Sequence, residues 1–485
     1  MKTVCVSIVL ASWLIVSLCA GAAERRTATV ARLPEAAQKE VWKQLAQLGH
    51  THREAADEFG DSVSVSGNTV VVGSPYGSGD LGAAYVFVKP ANGWGNMMET
   101  ARLTASDERK LDEFGRSVSI DGNTVVVGSP CASYDGTNCG TGAAYVFVKP
   151  AGGWRDMTET AKLIAADGNQ GDILGYSVSI SGDTVAAGAP GHVHGAVYMF
   201  AQPKGGWKSM TQTAELTASD GVNQDELGSS VSINGKTVAA GSPSKGTYQG
   251  AAYIFVEPAS GWKDGTQTAE LTASDGAPDD VFGWSVSVNG TTALVGAPKL
   301  YSTGGAAYVY VEPSGGWADA TETAKLTGYS GRKLFAQSVA VSGNTVLAGQ
   351  PLLRGSRGAA FVYVKPLSGW KTTSRFDAKL TAATGKYEHY FGSSVALTGD
   401  TAAIGAPNPN SRPGTAYVFG KGQMTVPFCA YSSTGSANWQ RAAGNLRRHS
   451  VTSLGRRYNL RGLESSRSCR NKCLVLEDSN VISTG

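Results

Sequence analysis

The sequence predicts an all-β protein: a seven-bladed β-propeller of four-stranded antiparallel blades, with the ring closed by the N-terminal segment. Three observations carry this. One phrase recurs seven times, most clearly as DEFGDSVSVSGNTVVVGSP from Asp57 to Pro75. Each copy is followed by two further runs with strand character. A tryptophan stands before the fourth run of six copies, is missing after the seventh, and stands at Trp42 ahead of the first.

In the first copy, Phe59 and Gly60 lead into Ser62, Val63, Ser64 and Val65, whose period-two alternation marks a strand with one apolar face. Gly67 and Asn68 make a tight turn into Thr69, Val70, Val71 and Val72, apolar on both faces. Pro75, with no amide proton to give a ladder, ends that run. Ala83 to Val88 reads as a third strand, and after a turn with Pro90, Gly93 and Trp94 the run Thr100 to Thr104 reads as a fourth.

The Phe-Gly position recurs at Phe59, Phe114, Leu174, Leu227, Phe282, Phe335 and Phe391, and Gly-x-Pro endings keep step from Gly73 to Gly405, with Gly349 standing before Gln350 and Pro351. A lone four-stranded sheet cannot cover two apolar sides, so a fixed repeat of this kind implies stacked units that bury one another. Radial closure takes four to eight blades, a range that seven copies fit. A solenoid is the rival, but it needs distinctive polar end caps, and the terminal copies resemble the middle ones. Trp42 with Leu45, Ala46 and Leu48 supplies what the seventh copy lacks, an outer strand, although Pro34, Val41, Leu45 and Leu48 would also suit an amphipathic helix. The tryptophans themselves recur at one slot, which argues for packing rather than sugar binding.

Residues 1–22 read as a secretory signal, with Lys2, the apolar run Val6 to Leu18 and small residues at Ala20, Gly21 and Ala22. Residues 23–37 read as a linker, 38–421 as the propeller and 422–485 as a basic, disordered tail. That tail carries eight of the arginines, from Arg441 to Arg470. A length of 485 residues with 62 glycines and 17% charged residues suits a turn-rich repeat protein with a sizeable core. The net charge of +3 says nothing strong about partners, and no nucleic-acid partner is expected. In an oxidising compartment Cys131 and Cys139 form a local disulfide, while Cys429, Cys469 and Cys473 leave an odd thiol. Asn289 with Thr291 is a glycosylation acceptor.

With these residues in view, the chain resembles the FG-GAP repeat family, whose propeller repeat is also found in the ectodomain of integrin α subunits. The resemblance rests on Phe-Gly, Gly-x-Pro and the Ala-Ala-Tyr third strand recurring together from about Trp42 to Gly420. It implies an extracellular seven-bladed propeller used for adhesion or ligand recognition. Integrin-like repeats enlarge the turn between strands one and two into a calcium loop. Here that turn is only Gly67/Asn68 and its six counterparts, too small to gather the six to eight oxygens that calcium wants, so no cofactor and no metal are expected. Asp107 with Asp112, Asp167 with Asp172, Asp220 with Asp225, and Asp275 with Asp279 and Asp280 read as turn chemistry in the links between blades.

Propeller geometry brings the strand two-to-three loops to one face, and those loops vary. Tyr76, Tyr134, Asp135, His192, His194, Tyr248, Tyr301, Arg354, Arg357 and Asn408 are the candidates there for binding a protein or glycan. His192 and His194 flank Val193 as a weak metal pair with no third local ligand. No metalloprotease His-Glu-x-x-His, nucleophile elbow, phosphate loop or cysteine cluster is present, so no catalytic residue is expected. The expected function is an exported, monomeric, non-catalytic recognition or adhesion module. The alternatives are a catalytic propeller acting on an extracellular polysaccharide and a surface or matrix structural protein.

Overall fold

The computed structural model describes residues 42–421 apart from Ala55, Tyr134, Asp135, Thr137, 300–303, 329–333, Arg354, Gly355, 384–388 and 409–412; outside that range it describes the backbone of short strands. The chain divides into a compact unit, Trp42–Lys421, and a second unit, Met1–Val41 with Gly422–Gly485. The second contains antiparallel pairs of Val4–Leu10 with Leu14–Ala20 and of Arg456–Arg461 with Cys473–Asp478. The end of the predicted leader with its linker (21–29 and 32–40) and most of the arginine-rich tail lie outside the described residues.

Within Trp42–Lys421 one sheet topology repeats seven times around a ring. In the first blade, Val63–Ser66, Thr69–Ser74, Ala83–Val88 and Ala101–Thr104 lie antiparallel in chain order. The hairpin between strands one and two turns at Gly67 with φ of 54°, a conformation that glycine adopts without the Cβ penalty other residues meet. Val70, Val71, Val72 and Ala84 to Phe87 have no exposure, as expected for strands covered on both faces. The apolar clusters straddle neighbouring blades: Val126, Val146 and Leu163 of the second pack with Val178, Tyr198 and Trp207 of the third. Each blade therefore completes its core only against the next. Trp154, Trp207, Trp262, Trp317 and Trp370 are 7–8% exposed inside such clusters, so they are packing residues.

The seventh sheet is ordered Val395–Thr398, Thr401–Ala406, Thr415–Gly422 and then Val41–Leu48. The N-terminal segment thus forms a strand, not a helix, and Trp42 packs against the cluster holding Phe391, Ile404 and Tyr417. The four-strand reading of a blade omitted one feature. In several blades the residues just before strand four pair in parallel with the fourth strand of the preceding blade, as Met157–Thr158 does with Leu103 and Thr104, and Met210–Thr211 with Leu163 and Ile164. An outer strand otherwise left as an open edge is covered in this way.

Around the axis the alternating serines form a zipper. Ser62, Ser117, Ser177, Ser230, Ser338 and Ser394 donate their hydroxyls to the carbonyl of the Phe-Gly glycine in the next blade, and Ser285 to that of Ala336, at 2.7–3.1 Å. The last runs from Ser394 to Gly60 and closes the circle. The glycine of Gly-x-Pro lies against the same carbonyl: a β-carbon at Gly188 would overlap the Gly228 carbonyl oxygen, and one at Gly405 the Gly60 oxygen.

Gly188→Ala should therefore force two blades apart and lower stability by at least about 1–3 kcal/mol. Trp207→Ala should cost about 3–5 kcal/mol. Thermal melts of both variants check this, and a midpoint equal to that of the parent protein would contradict the packing account.

Candidate ligand-binding face

Strand two-to-three loops and the links between blades lie together on one face. The contact is direct, because Gly82, Gly142, Gly195, Gly250 and Gly358 at the ends of those loops bridge to Phe114, Leu174, Leu227, Phe282 and Phe391 of the following link. Just before the Phe-Gly position the backbone turns left-handed at a non-glycine residue in every copy, at Glu58, Glu113, Ile173, Glu226, Val281, Leu334 and Tyr390 with φ of 49–60°. Such strain is tolerated where the surroundings over-determine it. Here it aims the start of strand one at the axis.

The residue that follows Phe-Gly is then Asp61, Arg116, Tyr176, Ser229, Trp284, Gln337 or Ser393, and no consensus survives there. Six of these, all but Trp284, line one cavity of about 210 Å³ together with serines and valines from all seven first strands, which puts it on the ring axis. Sequence reasoning passed over this ring. The signal was available, since a varied position between invariant neighbours is what a repeat displays where the scaffold places no demand.

The mouth is electrostatically mixed. Arg116 Nη1 bonds Asp61 Oδ2 at 2.9 Å, and its guanidinium carbon lies 5.5 Å from the Tyr176 ring centroid. Asp61 holds Arg116 firmly cationic. Tyr76, one of the expected ligand residues, donates its hydroxyl to Glu113 Oε1 at 2.9 Å, and burial followed by that carboxylate pushes the phenol up. Burial, and then Asp61, carries the Glu58 carboxyl from 4.5 up to about 7.

Of the other expected residues, Tyr248 is half exposed, and Arg357 and His194 are exposed on the same face. Asn408 is a correction: it is 6% exposed, at a left-handed turn with φ of 45°. Its amide side chain suits that turn, and that suitability, rather than an accessible contact, explains the residue. Tyr134, Asp135, Tyr301 and Arg354 lie outside the described residues. Cys131 and Cys139 form the expected disulfide. Asn289 ends a first strand, where its Oδ1 accepts from the Gly343 amide at 2.9 Å.

The link aspartates divide into two sets. Asp112, Asp172, Asp225 and Asp280 are buried, each accepting from the backbone N–H three residues earlier at 2.7–3.2 Å, which is the expected turn chemistry. Asp107, Asp167, Asp220 and Asp275 instead accept the hydroxyl of a third-strand tyrosine, Tyr145, Tyr198, Tyr253 or Tyr308. His194 does not join His192 in a metal-capable group among the described residues. His192 Nδ1 bonds Asp172 Oδ2 at 2.9 Å, and its Nε2 faces Asp167 and Glu215 rather than His194.

A further pair went unnoticed in the sequence. His50 and Asp57 are fully buried and joined at 2.9 Å from Nε2 to Oδ2, with the imidazole stacked 4.6 Å from the Phe59 ring. Asp57 Oδ1 accepts from the Gly414 amide at 3.0 Å, tying the first link to the last blade. Burial opposes its ionisation, but the bonds from His50, Gly414 and Phe59 outweigh that and hold the carboxyl below its usual value.

A family model described as FG-GAP repeat matches residues 42–87, 97–147, 157–200, 210–255, 266–310 and 375–419, together more than half of the chain. The segment without a match holds the sixth blade's Phe335-Ala336, where alanine replaces the usual glycine. Solved structures similar to the chain include the WD40 β-propeller domain of Doa1, at 11% identity and a TM-score of 0.46, covering 79% of this chain and 98% of that one. Hydrazine synthase of Kuenenia stuttgartiensis is similar at 12% identity and a TM-score of 0.45, covering 76% and 94%. No curated protein matches the chain.

Because the folded Glu58 carboxyl titrates near 7 and an unfolded one near 4.5, the native state binds the extra proton between those values. Stability should therefore fall as pH rises from about 4.5 to about 7, and Glu58→Gln should flatten that slope. Melting curves across this range check it; an identical slope in parent and variant would contradict the assignment.

Proposed function

The chain belongs to the FG-GAP repeat family, and on that premise we propose that it is an exported, non-catalytic recognition module. It binds a protein or glycan on the face that carries the strand two-to-three loops and the inter-blade links. FG-GAP propellers are compatible with ligand binding or adhesion. No helix among the described residues is long and apolar enough to cross a membrane.

The observation that carries the reading is the ring of Asp61, Arg116, Tyr176, Ser229, Gln337 and Ser393 around the axial cavity. Everything around these positions repeats because the packing requires it. These positions vary from copy to copy, with only serine occurring twice, and they stand at one mouth on a rigid scaffold. Arginine, tyrosine and tryptophan are the side chains that dominate recognition energetics, and loops fixed by a scaffold are where binding residues concentrate. Exposed Val193, Val222 and Tyr248 extend the same face outward as apolar contact area.

A catalytic propeller is the second reading, and one observation favours it: Glu58, held near neutrality, stands close enough to Asp61 to be perturbed by its charge. A carboxyl held near neutrality is what a general acid or base requires. The mixed charge of the mouth favours binding over a carboxylate-lined well.

A glycan and matrix-protein array should give saturable binding that Tyr176→Ala weakens by at least about tenfold without lowering the melting temperature. Turnover of a labelled polysaccharide panel, abolished by Glu58→Gln, would instead favour the enzyme. Saturable binding unaffected by Tyr176→Ala would remove the mouth from the proposal.

A further inference from the structure

The outer edge of the same face repeats a charge pattern in which each tyrosine-bonded link aspartate pairs with a lysine, Asp167 excepted. In the second blade Asp107 takes the Tyr145 hydroxyl and pairs with Lys162 of strand four. The fifth blade repeats this with Asp275, Tyr308 and Lys325. In the fourth blade strand four carries an acid, Glu270, and Lys245 reaches in from the two-to-three loop so that its ammonium touches Asp220, the Tyr253 hydroxyl and Glu270. The third blade keeps that acidic arrangement as Asp167, Tyr198 and Glu215 but puts His192 where the fourth has Lys245. Three carboxylates, counting Asp172, then surround one imidazole, and no lysine reaches them in the described structure.

We propose that Asp167, His192 and Glu215 form a binding site for a divalent transition-metal ion, zinc by preference, with Asp172 orienting the imidazole. The Lys245 ammonium marks the cation's place in the neighbouring blade. Three features fit. The ligand atoms of Asp167, His192 and Glu215 lie within 4.8 Å of one another, and His192 Nε2 is 3.8 Å from Asp167 Oδ2 and 3.6 Å from Glu215 Oε1. Tetrahedral zinc with bonds near 2.1 Å separates its ligands by about 3.4 Å, so the two edges that His192 makes stand within a few tenths of an ångström of that spacing. Asp172 accepts from Nδ1–H and so leaves the Nε2 lone pair for the ion, the carboxylate–histidine–metal relay that fixes a ligand's tautomer. Tyr198 occupies Asp167 Oδ1 and leaves Oδ2 facing His192.

Exposure grades outward from His192 at 13% to Glu215 at 26% and Asp167 at 44%, so an ion can enter from solvent and keep a fourth position open. One nitrogen and two carboxylates suit zinc better than calcium, which wants six to eight oxygens. The inference does not depend on the recognition reading, since the site sits on one blade's rim and holds whether or not the axial mouth binds anything.

Calorimetric titration of the chelator-treated full chain with zinc chloride, and separately with calcium chloride, tests it. The expected result is one zinc per chain, bound about 100-fold or more tighter than calcium. His192→Asn should abolish binding, and Asp172→Asn should weaken it about 10- to 100-fold. Glu215→Lys rebuilds the second blade's aspartate–lysine pair, so it should abolish zinc binding while the melting temperature holds. A flat zinc trace, equal affinity for calcium, or zinc binding that survives both Glu215→Lys and His192→Asn would overturn the site.

Discussion

The hydrogen bond from a first-strand serine to the carbonyl of the next blade's Phe-Gly glycine is the constraint on which the rest of the structure depends. It occurs in all seven blades, counting the alanine carbonyl of the sixth, and its seventh instance joins Ser394 to Gly60 across 334 residues of chain. One such bond contributes only about 1 kcal/mol net. Its importance is geometric, because it seats strand one of each blade against the next at a fixed separation. That separation leaves no room for a β-carbon on the strand-two glycine. Two glycines and one serine per repeat thus follow from a single close approach.

Closure is reinforced at two further radii. At the rim, Val41–Leu48 supplies the seventh sheet's outer strand and Trp42 packs into the seventh blade's core. Between rim and axis, the buried His50–Asp57 pair receives the Gly414 amide. A buried charge pair is costly to desolvate and weak evidence for net stability, but its directionality favours one register over its neighbours. The chain ends of the propeller are therefore held at three distances from the axis. The scaffold that results is rigid enough for non-repeating side chains at the mouth to be held in place without contributing to the packing.

The fold was legible because repetition multiplies a weak signal. A single Ser-Val-Ser-Val run says only that a strand has two unlike faces, whereas seven in step, each with two apolar partners, leave a ring as the economical arrangement. The serine face was read as merely polar, however, when it is the inter-blade zipper; alternation records polarity and not the partner. Trp42 was legible as the missing seventh tryptophan. The parallel patch formed by Met157 and Thr158 was not, since two residues have no period.

The site was less legible, for a related reason. Loop composition pointed to one face but weighted exposed-looking residues equally, so Asn408 was included although it is buried at a left-handed turn. The His192 and His194 pair suggested itself by proximity in sequence, whereas the groups facing His192 come from a link 25 residues earlier and a strand 23 residues later, at Asp167 and Glu215. Only alignment of the third blade with the fourth, in space, exposes the missing lysine.

Hydrogen exchange read by mass spectrometry tests the closed ring most directly. The account predicts that amides of the seventh blade's third strand, Thr415–Gly422, are as strongly protected as those of Ala196–Ala201 in the third, because both are central strands of a sealed circle. Fast exchange confined to the seventh blade, with the third still protected, would mean that the N-terminal strand does not seal the ring and would contradict the account.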